Sequence, residues 1–261
     1  MVENVKFYFF FKMDLLSTFE LIAQSRHTTR SFDPSLPVHD ALLHRTLLAA
    51  QRAPSGFNLQ PWVAVVVKDQ DQKERLHAAC LHQPQIRDAP LSIVFAGSTR
   101  PSDLTGRVLA DGLRTGYYTK QYEASYVRNA HFMLHGGPLG AMQVVKSGLT
   151  ACYSALTGSP MISVPTSLKA YAWKQTMLPV GHFLLAATAA GLHTATLEGF
   201  DEECVKKIVG LTDDFTVPCV VAIGYAKKGS SEEKRVPSPR LPHAEVFFEG
   251  CYKGSPAIPK D

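Results

Sequence analysis

Three short stretches hold the residue types that could do chemistry. "RHTTR" (26–30) sets two guanidinium groups and two hydroxyls on one segment. Arginine forms paired hydrogen bonds with phosphate oxygens and threonine adds compact neutral donors, so this segment suits a phosphate-bearing ligand. "APSGFNLQPW" (53–62) offers Ser55, Asn58 and Gln60 to read polar edges, on a backbone kept open by Gly56. "TLEGF" (196–200) closes an apolar run with Glu198 and Gly199, where a missing side chain lets backbone amides approach a ligand. Each has a plainer reading taken alone: a solvated basic loop, a helix-to-strand turn, a strand end.

Other chemistries find less support. There is no G-x-x-x-x-G-K-[ST] loop, no G-x-G-x-x-G after the first strand and no H-E-x-x-H. "HGGPLG" (135–140) resembles the oxyanion loop of esterases, but the G-x-S-x-G elbow that must accompany it is missing. It reads as a glycine-rich turn. The ten histidines do not cluster at ligand spacing, and the five cysteines lie far apart without a C-x-x-C pair. That pattern suits reduced thiols and argues against a metal site or a disulfide scaffold. Lys and Arg are scattered and the net charge is only +4, which argues against a dedicated nucleic-acid binder. No apolar run approaches the ~18 residues of a membrane-spanning helix. Tyr118, Tyr122 and Tyr126 stand at i, i+4, i+8, a helical stripe that fits core or subunit interface and could instead wall a pocket for flat substrates.

The elements that must position these residues follow from periodicity. Leu15, Phe19 and Ile22 mark an amphipathic helix, and Leu43, Leu47 and Ala50 a second that must stop before Pro54. "WVAVVV" (62–67) and "LSIVFAG" (91–97) are continuous apolar runs, expected as strands buried on both faces. "DQKERLHAACL" reads as a short helix between them, whereas 98–172 resists assignment. "KQTMLPVGHFLLAATAAG" reads as a helix begun or kinked at Pro179 and ended by Gly191. A strand at 192–199, a helix capped by Asp201 and a strand at 217–225 complete the order. After Tyr225, prolines at 237, 239, 242, 256 and 259 predict an extended arm, with "EVFFEG" strand-like within it. The whole predicts one domain, 13–261, an α/β or α+β sandwich around a small sheet. Residues 1–12 read as an extension in preference to a targeting segment, and Met13 could be the start.

At this point a resemblance covers nearly the whole chain. "RHTTRSFD", "APSGFNLQPW", "QPQIRDAP", "WKQ" followed by "GHFLLAATAAGL", "TLEGFD" and "RLPHAEVF" are similar, in order and spacing, to the FMN-dependent nitroreductase family. The resemblance implies an α+β three-layer sandwich, a small mixed sheet flanked by helices, with the 226–261 arm exchanged in a homodimer. It implies FMN at the subunit interface, NADH or NADPH as reductant, and a small aromatic acceptor such as a nitroaromatic or quinone. Arg26, His27 and Thr28 would grip the phosphate and ribityl chain, and Arg30 the pyrimidine edge. Pro54, Ser55, Gly56, Asn58 and Gln175 would close over the cofactor from the other subunit. Thr196, Leu197, Glu198 and Gly199 would lie along the ring, with the Glu198 amide near N5, and Arg240 would reach the phosphate.

Three departures from the family pattern stand out: Ser238 where a basic residue is common, His82, three before Gln85, where an asparagine faces the flavin, and Thr196 in place of a proline. They bear on phosphate affinity and redox tuning. Two alternatives stay open, a dedicated dehalogenation or ring dehydrogenation on the same fold, and a flavin-storage protein. The expected location is cytoplasmic, or mitochondrial if the first residues are a targeting segment.

Overall fold

The computed structural model describes residues 14–137, 140–230 and 238–258. The predicted extension 1–12, residues 138–139 of the glycine-rich turn and part of the proline-rich arm lie outside them. In order the elements are α1 (Leu15–Ser25), α2 (Asp40–Gln51), β1 (Trp62–Val67), α3 (Gln70–Ala79), α4 (Pro84–Asp88) and β2 (Leu91–Ser98). Then come α5 (Thr105–Arg114), α6 (Glu123–Leu134), α7 (Ala141–Thr157), α8 (Leu168–Ala189), β3 (His193–Leu197), α9 (Glu202–Val209) and β4 (Phe215–Gly224).

The sheet order is β1-β2-β4-β3 and every strand pairing is antiparallel. A parallel contact, the isolated bridge between Thr28 and Thr194, lies on the outer edge of β3, so the expected mixed sheet reduces to that bridge. Side chains of a strand alternate between faces, and the two central strands bury both. Ile93, Phe95, Val221 and Ile223 pack with Leu43 of α2 and Val180 and Phe183 of α8. Val94, Ala96, Val220 and Ala222 pack with Leu76 of α3, Ile86 of α4 and Val205 of α9. This is a three-layer sandwich. β1 departs from expectation: it is an edge strand, so five of its six residues are only half-buried and Val67 alone is fully enclosed.

α8 begins at Leu168, eleven residues before Pro179, which sits buried inside it. Pro179 therefore neither starts nor ends the helix. The Schellman turn at its C-terminus does: Gly191, at φ +72°, gives its N–H to Thr188 and Leu192 gives its N–H to Ala187. A third apolar cluster joins Leu59, Leu109, Tyr126, Leu134 and Tyr171, tying the 53–62 loop to α5, α6 and the first turn of α8. The tyrosines do meet, with Tyr118 and Tyr126 ring centroids 5.1 Å apart, but not as one helical stripe. Tyr118 sits in a turn, Tyr122 caps α6 and only Tyr126 lies within it.

α1 forms as expected, capped by the Asp14 carboxylate, yet Leu15, Leu16 and Phe19 are exposed. In the arm, "EVFFEG" is not a strand: a 3-10 turn at His243–Glu245 leads to one isolated bridge between Phe248 and Pro256. Among the described residues no helix is long and apolar enough to cross a membrane.

Candidate functional site

The 26–30 segment leaves α1 and runs along the free edge of β3. Thr29 is buried, its N–H bonds the Thr194 carbonyl at 2.9 Å and its hydroxyl lies 3.2 Å from His193 Nδ1. This pins the segment while its neighbours, half-buried Arg26, His27 and Thr28 and exposed Arg30, flank the anchor. His27 Nδ1 donates to the Ser25 carbonyl at 2.8 Å, which orients its ring edge-on to His193. β3 carries the chain onward to Thr196 and Leu197 and then to the exposed turn at Glu198 and Gly199. Gln83 Nε2 donates to the Gly199 carbonyl at 2.7 Å and so ties the 82–85 segment to that turn. Arg26 to Arg30, Gln83 to Gln85 and Thr196 to Gly199 thus form one set around the edge strand.

Gln83 was not singled out from the sequence, where His82 was the residue named in this segment. The structure folds His82 back onto its own helix. Leu81 and His82 adopt φ of +55° and +56°, the His82 N–H bonds the His77 carbonyl, and the two imidazoles pack edge to face at 5.1 Å. Gln85 is buried, and its Oε1 has no partner among the described residues. An unpaired buried acceptor costs about 1–3 kcal/mol, which a ligand donor would relieve.

The second set is the 54–60 loop with α8. Phe57, Asn58 and Gln60 all have positive φ, at 55°, 53° and 47°. Each non-glycine residue held there stores roughly 1–3 kcal/mol, and such strain gathers at ligand clamps. The loop is held by several bonds at once. The Gly56 N–H donates to Gln175 Oε1 at 2.7 Å, the Gln60 N–H to Ser55 Oγ at 2.8 Å, and the Tyr126 hydroxyl to the Phe57 carbonyl at 2.9 Å. Pro54 and Asn58 are left exposed. Gly56 is required by packing and not by conformational freedom: a Cβ there would lie 2.5 Å from the Tyr171 hydroxyl oxygen. That hydroxyl is buried without a partner among the described residues, and burial pushes its pKa up to about 12, so it stays a neutral donor.

Each set is anchored in a different cluster, the first around the sheet edge and α3–α4–α9, the second in the α5–α6–α8 cluster. Arg240 joins neither through its bonds, since its guanidinium donates to the nearby Ser238 and Pro239 carbonyls. A further network was invisible in the sequence. The Trp173 indole N–H donates to Thr216 Oγ1 at 2.8 Å, and the Thr216 hydroxyl donates to Glu202. The Val217 amide and Lys169 Nζ also reach Glu202, at 2.9 and 2.7 Å. Burial alone would raise the Glu202 carboxyl, but these bonds outweigh it and hold the group below its ordinary value.

The model of the nitroreductase family matches residues 23–225. A Thermus thermophilus protein named NADH dehydrogenase is 32% identical over 215 residues, covering 81% of this chain and 86% of the relative. The oxygen-insensitive NAD(P)H nitroreductase of Salmonella typhimurium is 29% identical, covering 82% and 89%. A protein of Exiguobacterium sibiricum solved in complex with FMN superimposes with a TM-score of 0.65 at 21% identity, covering 86% and 93%. The chain belongs to the nitroreductase family and is an oxidoreductase of that class.

Proposed function

We propose that this protein is an NAD(P)H-dependent FMN oxidoreductase, a homodimer that reduces nitroaromatics, quinones or related flat acceptors by a ping-pong cycle. FMN supplies the chemistry when bound, taking a hydride from the nicotinamide and passing reducing equivalents to the acceptor. The observation that carries the reading is the division of the polar residues into two sets held by separate cores. A cofactor clasped between subunits needs such a division, one set from each protomer. The residues fit the group: the first set supplies cations for the phosphate and the unpartnered Gln85 acceptor for a ring donor, and the second supplies the Tyr171 hydroxyl donor.

Within this reading Arg26, His27 and Thr28 hold the phosphate and ribityl chain. Arg30 offsets the negative charge that gathers at the pyrimidine edge on reduction, by preorganised electrostatics. The Glu198 amide and the open Gly199 backbone meet the ring. Pro54, Ser55, Gly56, Asn58 and Gln175 of the partner subunit close the site and exclude water. The exposed apolar side chains of α1 agree with a dimer contact. No side chain need act as an obligatory acid or base.

The test is anaerobic. Purified protein should be yellow with one FMN per chain, bleach with NADH or NADPH, and recolour on addition of a quinone. Protein that holds flavin but never bleaches is a flavin carrier, and protein that holds none sinks the proposal.

A further inference from the structure

α7 carries its amphipathic pattern reversed. Its polar residues Gln143, Ser147, Thr150 and Ser154, spaced four, three and four apart, face the protein, with Gln143 and Thr150 fully buried. Its apolar residues Met142, Val145, Leu149, Cys152 and Leu156, spaced three, four, three and four apart, face outward, with Leu149 66% and Leu156 82% exposed. Among the described residues, none of α7 belongs to any of the three apolar clusters. Hydrogen bonds tie it to the end of α6: Gln143 Nε2 donates to the Met133 carbonyl at 2.7 Å, and Lys146 Nζ to the Phe132 and His135 carbonyls at 2.6 and 2.8 Å. A helix in a folded protein is stabilised chiefly by packing an apolar face, and α7 leaves that face bare in its own protomer.

We propose that this face is an interface between copies of the chain, in which α7 packs antiparallel against α7 of a second copy. The three-four spacing is the seam of a coiled coil and suits a helix as its occupant. Ala141, Gly148 and Ala155 flank the seam at intervals of seven, all exposed, and a Cβ on Gly148 would meet nothing within 4 Å. Glycine is unfavourable inside a helix; nothing in its own protomer requires it here, whereas a row of small residues lets a second helix backbone come close. Charge selects both occupant and orientation. Lys146 is the one charged residue of α7 and its ammonium is engaged by the α6 carbonyls, so two copies meet without like-charge repulsion. Antiparallel pairing sets the N-terminus of each helix beside the C-terminus of the other, where the macrodipoles attract. A lipid surface calls for a row of lysines and arginines beside the apolar face, and α7 offers none. With the two-fold axis at Leu149, Met142 lies level with Leu156 and Val145 with Tyr153 of the second copy. The seam from Met142 to Leu156 is about 21 Å long, and one helix pair of that length falls short of the ~1,200–2,000 Å² buried by a stable dimer. The contact therefore joins chains already paired around FMN, each pair bringing two seams, and is additional to the flavin interface.

Light scattering on FMN-loaded protein at up to ~100 μM reads the assembly. The native chain should form a species larger than a dimer. Leu149→Glu sets two carboxylates face to face on the axis and should return it to a dimer with unchanged flavin content, through a dissociation constant at least ~100-fold higher. Cross-linking tests the register without relying on that variant. In a Cys152→Ser, Cys204→Ser, Cys251→Ser background, which removes the exposed thiols of the described residues, Leu149→Cys should give a disulfide-linked pair of chains on oxidation with copper phenanthroline. Cys152 kept as the single exposed thiol should not, because the two copies of it stand about 9 Å apart along the helix axis. A native chain no larger than a dimer overturns the proposal, as does a cross-link through Cys152 with none through Leu149→Cys. Loss of flavin and dimer together in Leu149→Glu would place the stripe in the flavin interface, and flotation of the native dimer with phosphatidylcholine vesicles would assign it to lipid; either result overturns the pairing of α7 with itself. Colourless protein that still cross-links through Leu149→Cys upholds the seam and refutes only the function proposed above.

Discussion

Gly56→Ala is the sharpest perturbation of the strained loop. The new Cβ would stand 2.5 Å from the Tyr171 hydroxyl oxygen, far inside contact distance, whereas the next atoms, Tyr171 Cζ and Gln175 Oε1, lie at 3.6 and 3.7 Å. The clash therefore involves one atom. Overpacking of this kind costs about 1–3 kcal/mol, and disturbing the Gly56–Gln175 hydrogen bond adds roughly 0.5–1.5 kcal/mol. A loss of about 2–4 kcal/mol corresponds to a melting point lower by on the order of 5–10 °C. Tyr171→Phe removes the offending oxygen. Because that oxygen is buried and unpartnered, its removal from flavin-stripped protein should leave stability unchanged or raise it by about 1 kcal/mol. The double variant should then melt within about 1 kcal/mol of Tyr171→Phe, a non-additivity that marks direct contact. Urea or thermal melts at fixed protein concentration read all four corners of the cycle. A double variant no more stable than Gly56→Ala would refute the geometry.

Four further outcomes are expected. Asn58→Gly keeps the left-handed backbone at φ 53° and removes the amide, so flavin retention should weaken while melting of the stripped protein holds; ultrafiltration and melts check both. Arg30→Ala should lower the flavin midpoint potential by some tens of millivolts, since the reduced cofactor carries more negative charge; an unchanged potential in anaerobic redox titration removes Arg30 from the mechanism. The folded pKa of Glu202 is depressed below its ordinary 4.5, so its stabilisation is full above that value and fades as pH falls through the folded one. Acid melts below about pH 4.5 should accordingly be flatter in Glu202→Gln. Deleting 231–261 spares the Phe32–Ala226 bridge and the Lys227-to-Ser31 hydrogen bond, and should cost flavin and dimer together, as read by light scattering and absorbance.

Local chemistry made much of this protein legible from its sequence. The strand runs, the Asp201 cap of α9 and the Gly191 turn depend on neighbours a few residues away, and each forms where those neighbours dictate. The motifs that carried the family resemblance needed only order and spacing. Edge position was not legible, because whether "WVAVVV" is enclosed depends on which strand lies beyond it, and among the described residues none does. The helical extent of 168–173 was hidden because Pro179 is a strong local breaker that sheet packing overrides. His82 turns back onto His77 while Gln83 reaches Gly199, a split made by two left-handed residues at a helix end, and the Gly56 requirement arises from Tyr171, 115 positions away. The Trp173–Thr216–Glu202 relay joins three elements that only the folded sandwich brings within hydrogen-bond reach. Bonds between positions far apart in sequence leave no periodic trace along the chain, and they decide which polar groups stand together.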